Sequence, residues 1–240
     1  MVQNVELAKV LYPGWVVVVF VASTVESGTR DLLMSAGAEV RIYDEAEVPG
    51  HGALLLRFLP AAESCCAVIF RDADSRLNRR EANAVRDWLR SGKKFHIMHD
   101  GPHETNAILG GMWGVRAVDG DRPLPDIAGD IRRYSRATSY GCDMDFLKDF
   151  LLPKLNRGNT IHHSASMSRR LNDDIEPRDF PPSPYVGFVG QPVNCPRLCT
   201  FNLFLERGCP HVLAGAKVTP EVSTALRHQP HLLETVAAYV

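Results

Sequence analysis

Asp72 and Asp74 stand two residues apart in "VIFRDADSRLNRREANAVRDWLRSG", residues 68–92, where an apolar run gives way to a charged helix. A second acid, Asp100, ends another apolar run, "KKFHIMHD". In open α/β sheets, ligands bind beyond the carboxyl ends of the strands, so acids at such ends are candidates for chemistry. A D-x-D pair can hold a divalent cation through oxygen ligands, and the cation can neutralise a diphosphate. The same spacing occurs in phosphatases of the haloacid-dehalogenase type, where the first Asp is the nucleophile and the second an acid/base. "GDRPLPD", residues 120–126, imitates the late acidic motif of that superfamily, but Ser75-Arg76-Leu77 replaces the small pair that follows its D-x-D. A solvated turn capping the next helix is the plain alternative.

The elements that must position these acids alternate along the first half of the chain. Residues 3–11 form a helix stopped by Pro13 and Gly14. "WVVVVFVA" is a strand apolar on both faces, as a central parallel strand requires. Thr24 caps a helix ending near Gly37, and "AEVRIYD" is a second strand. "GALLLRFLPA" reads as helix and "CCAVIFR" as a third strand. Asn78 caps a helix with Ala82, Val85 and Leu89 on one face and Trp88 beside it. "KKFHIMHD" is the fourth strand, with His96 read as a core residue. The alternation argues for an α/β fold with a mixed, mainly parallel sheet flanked by helices. After about residue 115 the pattern loosens: "DGDRPLPDIAGD" is loop-like, "DMDFLKDFLLPKL" is a helix broken by Pro153, "FPPSPYVGFVG" is loop then short strand, and 220–240 is helical.

Composition bounds the class. The chain has 240 residues, 45% apolar and 23% charged, with a formal net charge of -1. The length suits one domain over 1–240, with a regularly alternating α/β half at 1–117 and a looser half at 118–240. The charge balance gives no bulk reason for nucleic acid as a partner. The longest early apolar run, residues 15–22, is too short to span a bilayer, and no signal peptide is visible. Six cysteines without a C-x-x-C pair read as reduced thiols in a cytoplasm. A homodimer is compatible with all of this.

Longer strings narrow the chemistry. "YPGW", "RFLP", "RDADSRLNRREANAVRDWLRSGKKFHIMHDGPHETNAILGGMWGVR", "DMDFLKDFLLPKL", "HHSAS" and "GFVGQ" occur in that order. Together they resemble a bacterial and viral group of glycosyltransferases with the GT-A fold, over most of residues 4–191. The resemblance implies a Rossmann-like nucleotide-diphospho-sugar transferase using Mn2+ or Mg2+ and a UDP- or GDP-sugar. It implies that Asp72 and Asp74 bind the cation and the diphosphate, with His162 completing the metal shell. Arg79 and Glu81 would support that site or the nucleotide. Asp100, His103 and the loop carrying Gly110, Gly111 and Trp113 would line the sugar and acceptor pocket. Asp143 would be the base near the acceptor, with Asp100 as the second catalytic candidate. Glycines let backbone approach a sugar closely, and Trp113 could stack on a sugar face or be core.

The chain departs from the family pattern in places. The family begins with a further strand before the helix that here contains Met1. It has Arg-Asp for His99-Asp100, His-Pro for Gly101-Pro102, Asp-Gln for Asp143-Met144 and His-Asp for His162-His163. Three outcomes follow: a narrowed glycosyltransferase, a GT-A scaffold with other metal-dependent chemistry, or a non-catalytic sugar- or protein-binding module. His96, His99, His103, His162 and His163 could also form a transition-metal site, since imidazole suits zinc, iron and nickel.

Overall fold

The computed structural model describes residues 1–48, 50–101, 106–118, 120–134, 138–166, 171–183 and 189–190, and the backbone of 201–206. Helix α1 (Val2–Leu11) leads through a turn at Gly14, where φ is 87°, into β1 (Trp15–Ala22). Then follow α2 (Ser27–Ser35), β2 (Glu39–Tyr43), α3 (Ala53–Leu56), a 3-10 turn at Leu59–Ala62 and β3 (Ala67–Asp72). Helix α4 (Arg79–Ser91) connects to β4 (Phe95–His99), which is followed by β5 (Trp113–Arg116) and α5 (Ile127–Arg133). A mixed helical segment begins as α6 (Cys142–Phe146), widens to a π turn at Leu147–Leu151 and tightens at Leu152–Lys154, the Pro153 region. Strands β6 (Thr160–Ser164) and β7 (Phe201–Glu206) complete the sheet.

Among the described residues seven strands form one sheet in the order β2-β1-β7-β3-β5-β4-β6. Only β1 with β2 and β4 with β6 pair in parallel; β7 is antiparallel to β1 and β3, and β5 to β3 and β4. The protein is therefore mixed α/β. Five strands share one direction, but two reversed strands separate them, which corrects the expectation of a mainly parallel pairing. β5 is a four-residue strand inside a stretch that reads locally as a glycine turn, and β7 is remote in sequence from both neighbours.

Alternation on the strands divides the core. Phe70, Ile97 and Trp113 pack with Phe58 and Phe146 on one face, while Val19, Ile69 and Trp88 pack with Leu7 of α1 on the other. Asn78 caps α4 as expected, its side-chain oxygen accepting from the Glu81 amide at 2.9 Å. Ala82, Val85 and Trp88 are buried on the face turned to the sheet, and each full burial of a Val-sized side chain contributes about 1.5–3 kcal/mol. Gly92 ends the helix at φ 73°, a left-handed conformation that favours glycine.

Other local expectations shift. Glu26, not Thr24, precedes α2, and the Thr24 hydroxyl donates to Glu45 instead. The predicted helix over "GALLLRFLPA" splits in two, because Pro60 has no amide to continue it. Part of "DGDRPLPDIAGD" is helical as α5. Cys65 and Cys142 are free and buried, but Cys66 is disulfide-bonded, and its partner is not among the described residues. That corrects the expectation of uniformly reduced thiols, and with it the thiol argument for a cytoplasm. Among the described residues no helix is long and apolar enough to cross a membrane. The 184–188 segment and the 220–240 helix lie outside the described residues.

Candidate functional site

Asp72 is the last residue of β3, and its side chain leaves the sheet on the face opposite Arg71. There it meets Arg57, the one cation in an otherwise apolar stretch, whose side chain is 3% exposed. Arg57 Nη1 donates to Asp72 Oδ1, Nη2 donates to Asp143 Oδ2, and Nε donates to the Leu54 carbonyl at 3.1 Å. Burial pulls the Arg57 pKa down, but the Asp72 and Asp143 carboxylates outweigh it, so the guanidinium stays charged. Residues 71 positions apart in the chain, Asp72 and Asp143, are thus joined through one planar fork. Asp143 is almost fully buried in the first turn of α6, whereas the Asp72 side chain is 47% exposed.

The glycine loop closes over this trio as the chain turns into β5. A Cβ on Gly110 would come within 2.7 Å of Arg57 Nη2 and closer still to Asp143 Oδ2. A Cβ on Gly111 would come within 2.7 Å of the Asp72 backbone nitrogen and closer still to its carboxylate. Only glycine permits such an approach, and part of the obstruction is backbone that cannot rotate away. Gly111→Ala is expected to cost about 1–3 kcal/mol in urea denaturation through overpacking. An unchanged midpoint would show that the loop is not seated on Asp72.

Asp74, two residues beyond, is exposed. Partial burial first, then the Asp72 charge, raises its pKa from the ordinary value. Magnesium and manganese sites use one or two carboxylates plus ligand phosphates. Asp72 and Asp74 fit that donor chemistry. Among the described residues no group of three or more His, Cys, Asp and Glu side chains could hold a metal ion alone.

His162 does not join them. It lies on β6, with β4 and β5 intervening before β3, three strand spacings or about 14 Å away. Its Nε2 instead sits 2.8 Å from His99 Nδ1. Glu81 is also turned away, because it packs against the sheet face that carries Arg71. It pairs with Arg71 Nε at 2.6 Å and accepts from the Tyr12 hydroxyl at 2.8 Å. Burial, then the Glu81 charge, raises the Tyr12 pKa well above its ordinary value, so the phenol stays a donor. Arg79 occupies the first position of α4 and is half-buried. Asp100 is buried and clamped: Arg80 donates through Nε at 2.6 Å and Nη2 at 3.2 Å, and the Val189 amide donates at 2.9 Å. Trp113 is fully buried against Phe58 and Phe70, the core placement the sequence left open. His103 lies outside the described residues.

Comparison of the chain with protein-family models, curated protein sequences and solved structures finds no match. The site is therefore argued from its own geometry.

That geometry bears on the phosphatase alternative. The Asp121 carbonyl accepts from the Cys65 amide at 2.9 Å, at the amino end of β3. Asp72 lies seven residues further along, about 20 Å away at the rise of a strand. The "GDRPLPD" acid Asp121 is thus at the wrong end of the sheet to assist Asp72.

Several residues that build the site carry no motif. Asn4, fully buried on α1, donates to the Ser75 carbonyl at 2.7 Å and accepts from the Leu77 amide at 3.3 Å, fixing the turn after Asp74 from behind. Arg57 could have been noticed as a lone charge within "GALLLRFLPA"; nothing local marks Asn4.

Two histidine pairs bridge β4 and β6, one on each face. His96 Nε2 is 2.8 Å from His163 Nδ1, and His163 Nε2 is 3.2 Å from Asp87 Oδ2. A carboxylate only accepts, so His163 carries its proton on Nε2 and His96 donates to its Nδ1. His99 Nε2 likewise donates to the Asn106 carbonyl at 3.2 Å, so its Nδ1 accepts from His162. Burial keeps the His96–His163 pair neutral, and both pairs tie β4 to β6.

Proposed function

We propose that the protein is a metal-dependent glycosyltransferase that moves a sugar from a UDP- or GDP-sugar to an acceptor. The observation that supports this reading most is the joining of Asp72 and Asp143 through Arg57 beneath the Gly110–Gly111 loop. It ties a strand-end D-x-D to a second, more deeply buried carboxylate. Glycosyl transfer needs such an asymmetry, because positive charge builds at the anomeric carbon while a diphosphate departs and an acceptor hydroxyl loses its proton.

In this reading Asp72 and Asp74 hold Mn2+ or Mg2+, which neutralises the departing diphosphate. Asp143 is the acceptor-side base in this reading, its Oδ2 being held by Arg57. Gly110 and Gly111, both buried, let the loop seat directly on Arg57, Asp72 and Asp143. The GT-A form of the fold and the division into donor and acceptor halves are parts of the same proposal.

Calorimetric titration of UDP- and GDP-sugars with and without Mn2+ or Mg2+ tests it. Binding is expected only with metal, and Asp72→Asn with Asp74→Asn is expected to abolish it. Metal-independent binding, or none to any nucleotide-sugar, removes the donor site.

A second reading, a repurposed scaffold that binds without turnover, draws on two placements. Trp113 is in the core, and Asp100 is already fully engaged by Arg80 and Val189. Binding of a nucleotide-sugar with neither hydrolysis nor transfer would favour it.

A further inference from the structure

We infer that Arg57 is an internal counter-ion that competes with a divalent cation for Asp72, and so sets the cation affinity of the site. The inference rests on the donor-site reading above and adds its regulation.

The geometry leaves Asp72 little choice of partner. Its Oδ1 receives Arg57 Nη1, and its Oδ2 faces the surface of Gly111. A cation that takes Oδ1 directly must share or displace that guanidinium. Arg57 cannot withdraw far, because Nε is held by Leu54 and Nη2 by Asp143, and the side chain is enclosed. An arriving divalent cation therefore meets a fixed positive charge at one of its two carboxylates. Asp74, outside this clamp, is the carboxylate a cation can reach without competition.

Charge counting points the same way. Asp72, Asp74 and Asp143 with Arg57 sum to -2, enough to attract a bare cation but less than the three acids alone. A cation arriving with a diphosphate brings negative charge that the guanidinium does not oppose. The site is thereby built to take the metal–nucleotide complex in preference to free metal. Arg57 also ties that preference to Asp143, because a guanidinium that lets go of Asp72 pairs with Asp143 alone. Any cation-driven change at Asp72 is therefore shared by the acceptor-side carboxylate.

The test is Mn2+ binding followed by electron paramagnetic resonance, with no activity required. Arg57→Met keeps the length of the side chain and removes the charge. It is expected to bind Mn2+ on the order of tenfold more tightly than the wild type, since a like charge near the ion is gone. Arg57→Lys, which keeps a charge, should stay near the wild type. If Arg57→Met does not fold, Arg57→Met with Asp143→Asn removes both buried partners and restores the sum of -2. It too should bind Mn2+ more tightly than the wild type, because Asp72 is released.

Equal or weaker binding in the charge-removing variant that folds overturns the inference, as does an absence of Mn2+ binding in every protein. Tighter binding in that variant, with no nucleotide-sugar bound by any of them, would sustain the role of Arg57 and remove the glycosyl-transfer reading. The two failures are thus separable.

Discussion

Glu81→Ala is expected to lower the stability of the protein by about 3–5 kcal/mol in guanidinium denaturation, among the largest effects of any single substitution. The substitution leaves Arg71 charged, 1% exposed and without its carboxylate, on the sheet face beneath α4. Tyr12 loses its acceptor in the same step, so α1 is loosened as well. The cost reflects the stranded charge more than the worth of the pair. Arg71→Met combined with Glu81→Met should therefore recover most of the loss. A Glu81→Ala protein less than about 1 kcal/mol weaker would mean that the pair behaves as an exposed one. The result also separates two roles, because a nucleotide-supporting Glu81 would be needed for binding and largely dispensable for folding.

Acidification is expected to destabilise the protein through the His96–His163 pair. Burial lowers the His163 pKa, against the opposing pull of Asp87, to about 4, and burial together with the His163 charge lowers His96 well below its usual value. A buried imidazole kept neutral contributes stability that is fully present above the unfolded value near 6.5. That contribution falls as pH drops from 6.5, where the unfolded chain takes up protons, and is gone below about 4, where both states are charged. The gap is worth about 3 kcal/mol at His163. The groups facing it are Asp87, Arg178, Arg80 and His96, so the charged form would meet one acid and two guanidiniums. Urea denaturation at pH 7.5 and 4.5 checks this. The wild type should lose about 2.5 kcal/mol more than His163→Asn over that interval. Equal losses would show that His163 titrates alike folded and unfolded.

The sequence showed what local chemistry dictates. The β-branched run at 15–22 can only be a buried strand, and Asn78 three residues before Glu81 marks a helix start whatever surrounds it. It also placed Asp72 at a strand end, which is where β3 stops. Strand order is a different matter, because β5 is four residues long and β7 has no sequence proximity to β1 or β3. Face is decided by a one-residue alternation, so Arg71 and Asp72 part company although they are adjacent. That alternation carries Glu81 to the far side of the sheet and brings Arg57 to the near one. His162 looked available as a ligand because histidine types are visible in a sequence and strand spacings are not.

The position of β7 has a consequence for how the chain assembles. Residues 201–206 pair along six positions with β1 and six with β3, so the segment is a wedge in the middle of the sheet. During synthesis β1–β2 and β3–β5–β4–β6 can each form early, but they meet only when that wedge arrives. Until then both β1 and β3 expose an open edge of amides and carbonyls to any other extended strand. The interval between residue 164, where β6 ends, and residue 201 is thus the period of greatest exposure to misassembly, and chaperone engagement is expected to concentrate there.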